Sequence, residues 1–484
     1  MLLSPSGTSK LKEALKEKVF FGNEPTPELI AILLIYFVQG ILGLARLAVS
    51  FFLKDELGMS PAEVSAMLGV VTLPWIIKPL YGFMSDGLPI FGYRRRPYIL
   101  ISGLLGMSAW VSLATIVHTP LAAIGAIALC SVSAAVSDVI ADSLVVERAR
   151  KESVTDAGSL QSLSWGTSAL GGLITAYLSG YLLQHFSTQT IFLISAFFPL
   201  IVSATAWLIA EEKTTKKTDF ETVKDQLKQL RQAVTQKTIW LPTAFIFLFK
   251  STPSSEAAFF FFTTNELGFK PEFLGRVSLV TSIASLAGVW LFQRFLKTVP
   301  FRVIFGWSTV IATALGMTTL LLVTHANRAL GIDDQWFSIG DSLILTVIGQ
   351  IAYMPVLVLS ARLCPRGVEA TLFALLMSII NLAGILSQEG GAVLTHLLGI
   401  TEHNFDNLWL LVIITNLSTL LPLLFLNWLP AESTESSDPN YQKSLPVLEP
   451  ELGSSKPGGQ HFIPEYFPDL VPAVKPQRRT VESK

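Results

Sequence analysis

The residues of this sequence that could do chemistry are ionisable side chains set inside long apolar runs. Asp138 and Asp142 stand four apart in the run 120–145, with Ser131 and Ser137 beside them. That spacing puts both carboxylates on one helix face. Two carboxylates so close cannot both hold a charge cheaply in a low-dielectric site, which suits one to carry a proton. They equally suit a flat ligand with adjacent N–H donors, through a two-pronged hydrogen bond, or pairing with cations elsewhere in a bundle.

In the run 28–52, Tyr36, Gln39, Gly43, Arg46 and Ser50 follow at spacings of three and four, which makes a polar stripe centred on Arg46. An offset of 210 pairs Arg46 with Glu256. The two could form an ion pair, or Arg46 could bind an anion. Lys250 precedes Glu256 by one and a half helical turns, with Pro253 between them. A helix broken in this way inside a membrane lines a cavity.

In 157–183, Gln161, Trp165 and Ser168 share a face. Trp165 could stack on a flat ligand or pack at the interface, while Gly172, Ala176 and Gly180 make a surface for close helix contact. In 367–398, Asn381 and Gln388 share a face, and Glu389 precedes Gly390-Gly391, where ligand contact competes with a helix bend. Lys78, between Pro74 and Pro79, reads as a cation snorkelling to the interface, and so does Arg276. A charge at the bilayer centre costs about 2.5–3.5 kcal/mol, so each such group needs a partner, water or a role. The expected substrate-binding set is Gln39, Arg46, Asp138, Asp142, Gln161, Trp165, Lys250, Glu256, Asn381 and Gln388. Asp138 and Asp142 are also the proton-coupling candidates.

The elements that position these residues follow from composition. Of 484 residues, 51% are hydrophobic and 15% charged, against about 25% charged in soluble proteins. A crossing takes roughly 20 apolar residues. Twelve spans are expected, at 28–52, 61–84, 97–117, 120–145, 157–183, 189–210, 241–264, 272–293, 301–323, 339–361, 367–398 and 406–429. The fold class is therefore an all-α membrane protein. Residues 1–27 form a charged leader without the pattern of a secretory signal. Residues 211–240 form a charged central loop in which Val223, Leu227, Leu230 and Val234 suggest a short surface helix. Residues 430–484 read as a disordered tail.

Of the 35 Lys and Arg, 28 fall in the leader, the tail and the even-numbered loops, while the odd-numbered loops hold Lys54, Lys270 and Arg328. This asymmetry puts both termini in the cytoplasm.

The two halves repeat. Glu56-Leu57-Gly58 with Pro61 matches Glu266-Leu267-Gly268 with Pro271 at an offset of 210. Gly82 and Arg96 match Gly288 and Arg302 at 206, and Ala149-Arg150 matches Ala361-Arg362 at 212. Two parallel six-helix halves around a central cavity are the arrangement of major facilitator transporters. The loop after the second span, with Gly82, Asp86 and Arg94-Arg95-Arg96, has the glycine–aspartate–basic order of the loop signature of that superfamily. It reads as a conformational latch in which Gly82 admits a neighbouring helix and Asp86 pairs with cations at helix ends. Its spacing is longer than usual, and the second half has no matching acid.

Several classes are excluded. A net charge of −1 provides no field for nucleic acid. Cys130 and Cys364 read as packed residues. The six histidines lie at span ends, in loops or in the tail, and HExxH, GxSxG and GxxxxGK[ST] do not occur. No catalytic centre, metal or cofactor is expected.

The stretch from Asp138 to Arg150 (DVIADSLVVERAR) resembles the fourth-span signature of the folate–biopterin transporter family, a branch of the major facilitator superfamily. So do Lys78-Pro79-Leu80-Tyr81-Gly82, Ser85-Asp86 and Arg94-Arg95-Arg96-Pro97. The region from Pro253 through Phe259–Phe262 to Phe273-Leu274-Gly275 fits as well. The resemblance covers roughly 28–429. It implies a multi-pass secondary transporter of folates or pterins, coupled to protons, in a bacterial plasma membrane or, in a plant, the plastid envelope; a monomer is expected. Arg46 and Lys250 would hold the folate carboxylates, and Asp138 or Asp142 the pterin ring or a proton. The alternatives are a carrier of another organic anion and a receptor that keeps the fold without transport.

Overall fold

The structure is a computed structural model and describes residues 24–149, 154–213, 235–296, 299–363 and 369–430. Residues 1–23 of the leader, the surface helix expected within 211–240, residues 431–484 of the tail, Cys364 and Arg150 lie outside the described residues. The described residues are helical apart from their connecting turns and loops, and fall into twelve successive helical segments. The first half comprises Pro27–Glu56, Pro61–Gly87, Arg96–Thr115, Pro120–Ala149, Val154–His185 and Thr188–Thr205. The second comprises Lys237–Lys250 with Glu256–Phe261, then Pro271–Leu296, Phe301–Val323, Asp334–Arg362, Glu369–Leu397 and Leu408–Trp428. Nine helices among the described residues are long and apolar enough to cross a membrane. The seventh span falls short because it is cut at Ser251–Ser255 around Pro253, where the sequence places a break. The seventh and tenth spans begin at Lys237 and Asp334, several residues before the apolar runs expected at 241 and 339, because a polar first turn still completes helical hydrogen bonds.

Local chemistry starts these helices. Thr26 accepts Leu29 N–H at 3.2 Å ahead of Pro27. Ser60 and Glu63 form a reciprocal capping box ahead of Pro61, the arrangement that satisfies otherwise orphaned N–H groups.

The internal repeat is visible in the backbone. The first span ends in a five-residue π turn, Phe52–Glu56, and the seventh in another, Phe262–Glu266. Gly58 (φ 61°) and Gly268 (φ 65°) then reverse the chain in the left-handed region that favours glycine. Met59 N–H bonds Leu53 O at 3.0 Å, and Phe269 N–H bonds Thr263 O at 2.9 Å, again 210 apart. Arg96 donates to Ala206 O at the end of the sixth span, and Arg302 to Leu429 O at the end of the twelfth.

Lipid tails are as apolar as leucine, so close packing holds such helices together in place of hydrophobic burial. A Cβ on Gly40 would stand 2.1 Å from Ser168 O, so the first and fifth spans touch backbone to backbone. Between the halves, a Cβ on Gly180 would stand 2.3 Å from Pro271 O and 2.6 Å from Gly275 Cα. Gly180 thus makes the close contact expected of its small-residue face, and Gly172 joins the other crossing, with its backbone N 2.8 Å from where a Cβ on Gly40 would stand.

Further inter-half contacts gather at the same end, beside loops 1–2, 5–6 and 7–8. Lys54 Nζ donates to Asn265 Oδ1 at 2.7 Å. Tyr177 OH donates to Glu272 at 3.4 Å. The Phe51 and Phe260 rings meet edge to face at 5.3 Å. Phe261 joins Phe52 and Phe192 in one buried cluster.

Candidate functional site

In the first half, four polar side chains from three spans converge. Lys78 opens the helix Lys78–Gly87 and forms an ion pair with Asp138 of the fourth span; the two side chains are 17% and 13% exposed. Its ammonium also lies 4.9 Å from the Trp75 ring centre. The interface-snorkelling reading of Lys78 is thus overturned: the kink at Pro74 and Pro79 turns the side chain inward, where Asp138 compensates its charge. One helical turn on, Asp142 accepts a hydrogen bond from Tyr36 OH of the first span. Asp138 is buried, whereas Asp142 is exposed in mid-helix. The two carboxylates therefore have different work: one is neutralised by a lysine, and the other is held by a phenol with solvent access. Gln39, one turn from Tyr36, keeps a buried amide nitrogen with no hydrogen-bond partner among the described residues.

Arg46 is exposed. Neither it nor Glu256 forms an ion pair among the described residues, so the inter-half pair considered for them is not made. The offset of 210 is a symmetry relation, and in this arrangement symmetry does not bring the two side chains together. Lys250 ends the first part of the seventh span with its ammonium 4.9 Å from the Tyr353 ring centre. Glu256 opens the second part and lines a cavity of about 310 Å³ with Phe259, Asp341 and Asn416. Trp165 is 60% exposed, and the side chain of Gln161 lies outside the described residues.

Gln388 and Asn381 of the eleventh span take part in the contact between the halves. Ser65 Oγ donates to Gln388 O at 2.8 Å and Oε1 at 3.1 Å, and Asn381 donates to Trp75 O at 3.2 Å. Glu389 Oε1 packs where a Cβ on Gly69 would stand 2.6 Å away. Gly391 lies against the seventh-span break, with Ser254 O 2.0 Å from where its Cβ would be, and Ser387 Oγ donates to Thr252 O at 2.6 Å. Close packing against the break is therefore a use for these glycines.

The residues expected to form a latch make a charged cluster within the first half. Arg95 is buried, 2.8 Å from Asp86 and 2.7 Å from Glu147 of the fourth span, and donates to Ser85 Oγ at 2.8 Å. The backbone N–H groups of Arg94, Arg95 and Arg96 converge on the Glu211 carboxylate at 2.5–3.1 Å. The reversal at Phe91 (φ 52°) and Gly92 (φ 84°) turns the chain back ahead of them. Gly82 does not serve the expected close approach: a Cβ there would meet Val139 at 3.7 Å, an ordinary contact.

Sequence reasoning missed Glu147, Glu211 and Asp341. The first two lie at span ends among cations, where position along the chain does not single out a carboxylate. Asp341, near a span start, accepts from Thr318 at 2.5 Å and Thr319 at 2.8 Å. It stands inside the apolar tenth run, two residues past its expected start at 339, which is a signal that could have found it.

A model of the BT1 family matches residues 39–444. The chain is 59% identical to the folate-biopterin transporter of Synechocystis sp., over 96% of both chains. It is 34% identical to folate transporter 1 of Plasmodium falciparum, over 86% of this chain and 81% of the relative. It is 33% identical to the probable folate-biopterin transporter 2 of Arabidopsis thaliana, over 81% and 80%. Among solved structures, the nucleoside transporter NupG superposes with a TM-score of 0.60 at 16% identity, covering 83% of this chain and 98% of that one. A D-xylose-proton symporter gives 0.59 at 14% identity, covering 83% and 98%. These likenesses show the major facilitator fold. The chain belongs to the BT1 family and is a multi-pass membrane transporter of a small-molecule substrate, not an enzyme.

Proposed function

We propose that the protein carries folates or related pterins by alternating access, coupled to protons, with both termini on the cytoplasmic side of a bacterial plasma membrane and a monomer as the working unit. The observation that carries this reading is the pair of unlike carboxylates in the fourth span: Asp138 neutralised by Lys78, and Asp142 exposed and held by the Tyr36 hydroxyl. A carboxylate open to water at bilayer depth is costly unless it exchanges a proton or meets a ligand. Arg46 and Lys250 provide positive charge for the two folate carboxylates. The gathering of inter-half contacts beside the odd-numbered loops supports an arrangement open towards the basic loops, from which the halves rock to expose the other side. The names of the relatives support folate and pterin as the cargo.

The test is uptake of labelled folate into proteoliposomes under an imposed pH gradient. Accumulation against the folate gradient, abolished by a protonophore, is expected. Equal uptake with and without the pH gradient would remove the proton from the mechanism. Transport of other organic anions without competition from folate would favour the broader anion reading.

A further inference from the structure

The cavity of the second half is lined by two carboxylates, Glu256 and Asp341, and by no Lys, Arg or His. Of the carboxylates lining it, Asp341 has both oxygens taken by Thr318 and Thr319. Asn416 spends its amide donor on Val412 O at 2.9 Å and Gly316 O at 3.3 Å. Glu256 is the remaining carboxylate; it is exposed, its carboxylate forms no ion pair or hydrogen bond among the described residues, and its backbone N–H donates to Ser254 Oγ at 3.2 Å. Phe259, one turn along the same short helix, lines the cavity beside it. About 310 Å³ is at the small end of ligand pockets, room for a fused bicyclic ring.

We propose that this cavity is the ring subsite, in which Glu256 accepts two adjacent N–H groups of a 2-amino-4-oxo heterocycle and Phe259 packs on its face. The inference rests on the folate and pterin reading above and assigns the ring to the second half. Asp138 is not free for this work because Lys78 holds it, and Asp142, with Oδ1 on Tyr36, is the carboxylate that the reading above gives to the proton. A carboxylate matches a pair of adjacent N–H donors in geometry, and its negative charge strengthens both hydrogen bonds, while an aromatic face adds stacking. The break at Ser251–Ser255 puts Lys250 at one end and Glu256 at the other, so one segment offers a cation for a carboxylate tail and an anion for the ring.

Binding to the purified full-length protein in nanodiscs tests this with three probes: folate, pterin (ring only) and p-aminobenzoylglutamate (tail only). Glu256→Gln keeps the shape and removes the charge. It should weaken pterin and folate by about tenfold or more, the loss of roughly one good polar contact, and leave p-aminobenzoylglutamate within about twofold. Phe259→Leu should weaken pterin and spare the tail probe. Unchanged pterin affinity in Glu256→Gln overturns the subsite while folate binding still supports the substrate class. Equal loss of ring and tail probes shows a structural role for Glu256 and also overturns it. If the unmodified protein binds none of the three, the substrate class and the subsite fail together.

Discussion

Lys78 and Asp138 close an ion pair between the second and fourth spans, with both side chains less than a fifth exposed. The pair keeps a cation and an anion inside the first half, one helical turn from Asp142. In a low-dielectric interior the attraction between two such charges offsets their desolvation only while both are present.

Removing one partner should therefore be worse than removing both. Lys78→Ala leaves Asp138 unpaired and should cost about 3–5 kcal/mol. The double variant Lys78→Ala with Asp138→Ala should recover much of that. Thermal unfolding in detergent, followed by size-exclusion fluorescence, measures the order; a double variant no more stable than Lys78→Ala would contradict it.

Asp142→Asn keeps the shape of the side chain and its bond to Tyr36 but removes the exchangeable proton. Proton-driven accumulation of folate should fall about tenfold or more, while exchange of labelled for unlabelled folate across the membrane persists. Tyr36→Phe removes one hydrogen bond, worth about 1 kcal/mol, and should lower uptake only a few-fold. Accumulation by Asp142→Asn at the unmodified level would exclude this residue from coupling.

The Gly180–Gly275 crossing leaves no room for a methyl group, since a Cβ on Gly180 would meet the Pro271 carbonyl at 2.3 Å. Gly180→Ala should push the halves apart at that end. In a variant without native cysteines, the disulfide yield between Lys54→Cys and Asn265→Cys should drop severalfold when Gly180→Ala is added. An undiminished yield would mean that the helices shift elsewhere to absorb the methyl.

The even-numbered and odd-numbered loops should label from opposite sides. A membrane-impermeant maleimide should reach Glu402→Cys in intact cells, and Arg302→Cys only after the membrane is opened. The reverse pattern would invert the orientation that the lysine and arginine distribution predicts.

The sequence alone determined the all-helical membrane architecture, the two-fold repeat and the break at Pro253, because these depend on local properties: apolar length, a recurring Glu-Leu-Gly turn, and a residue without an amide hydrogen. It also singled out Asp138, Asp142, Lys250 and Glu256, since a charge inside an apolar run is conspicuous without coordinates. What it could not determine is who meets whom. Lys78 faces Asp138 and not the interface; Arg46 and Glu256, matched by symmetry, make no pair among the described residues; Gln388 and Asn381 bond across the halves. Glu147 and Glu211 converge on Arg94-Arg95-Arg96 only when the ends of the fourth and sixth spans come together. Spacing along one helix fixes which residues share a face. The rotation of that face relative to its neighbours is set by packing between helices far apart in the chain, at contacts such as Gly40 on Ser168 and Gly180 on Gly275, and that only the tertiary structure decided.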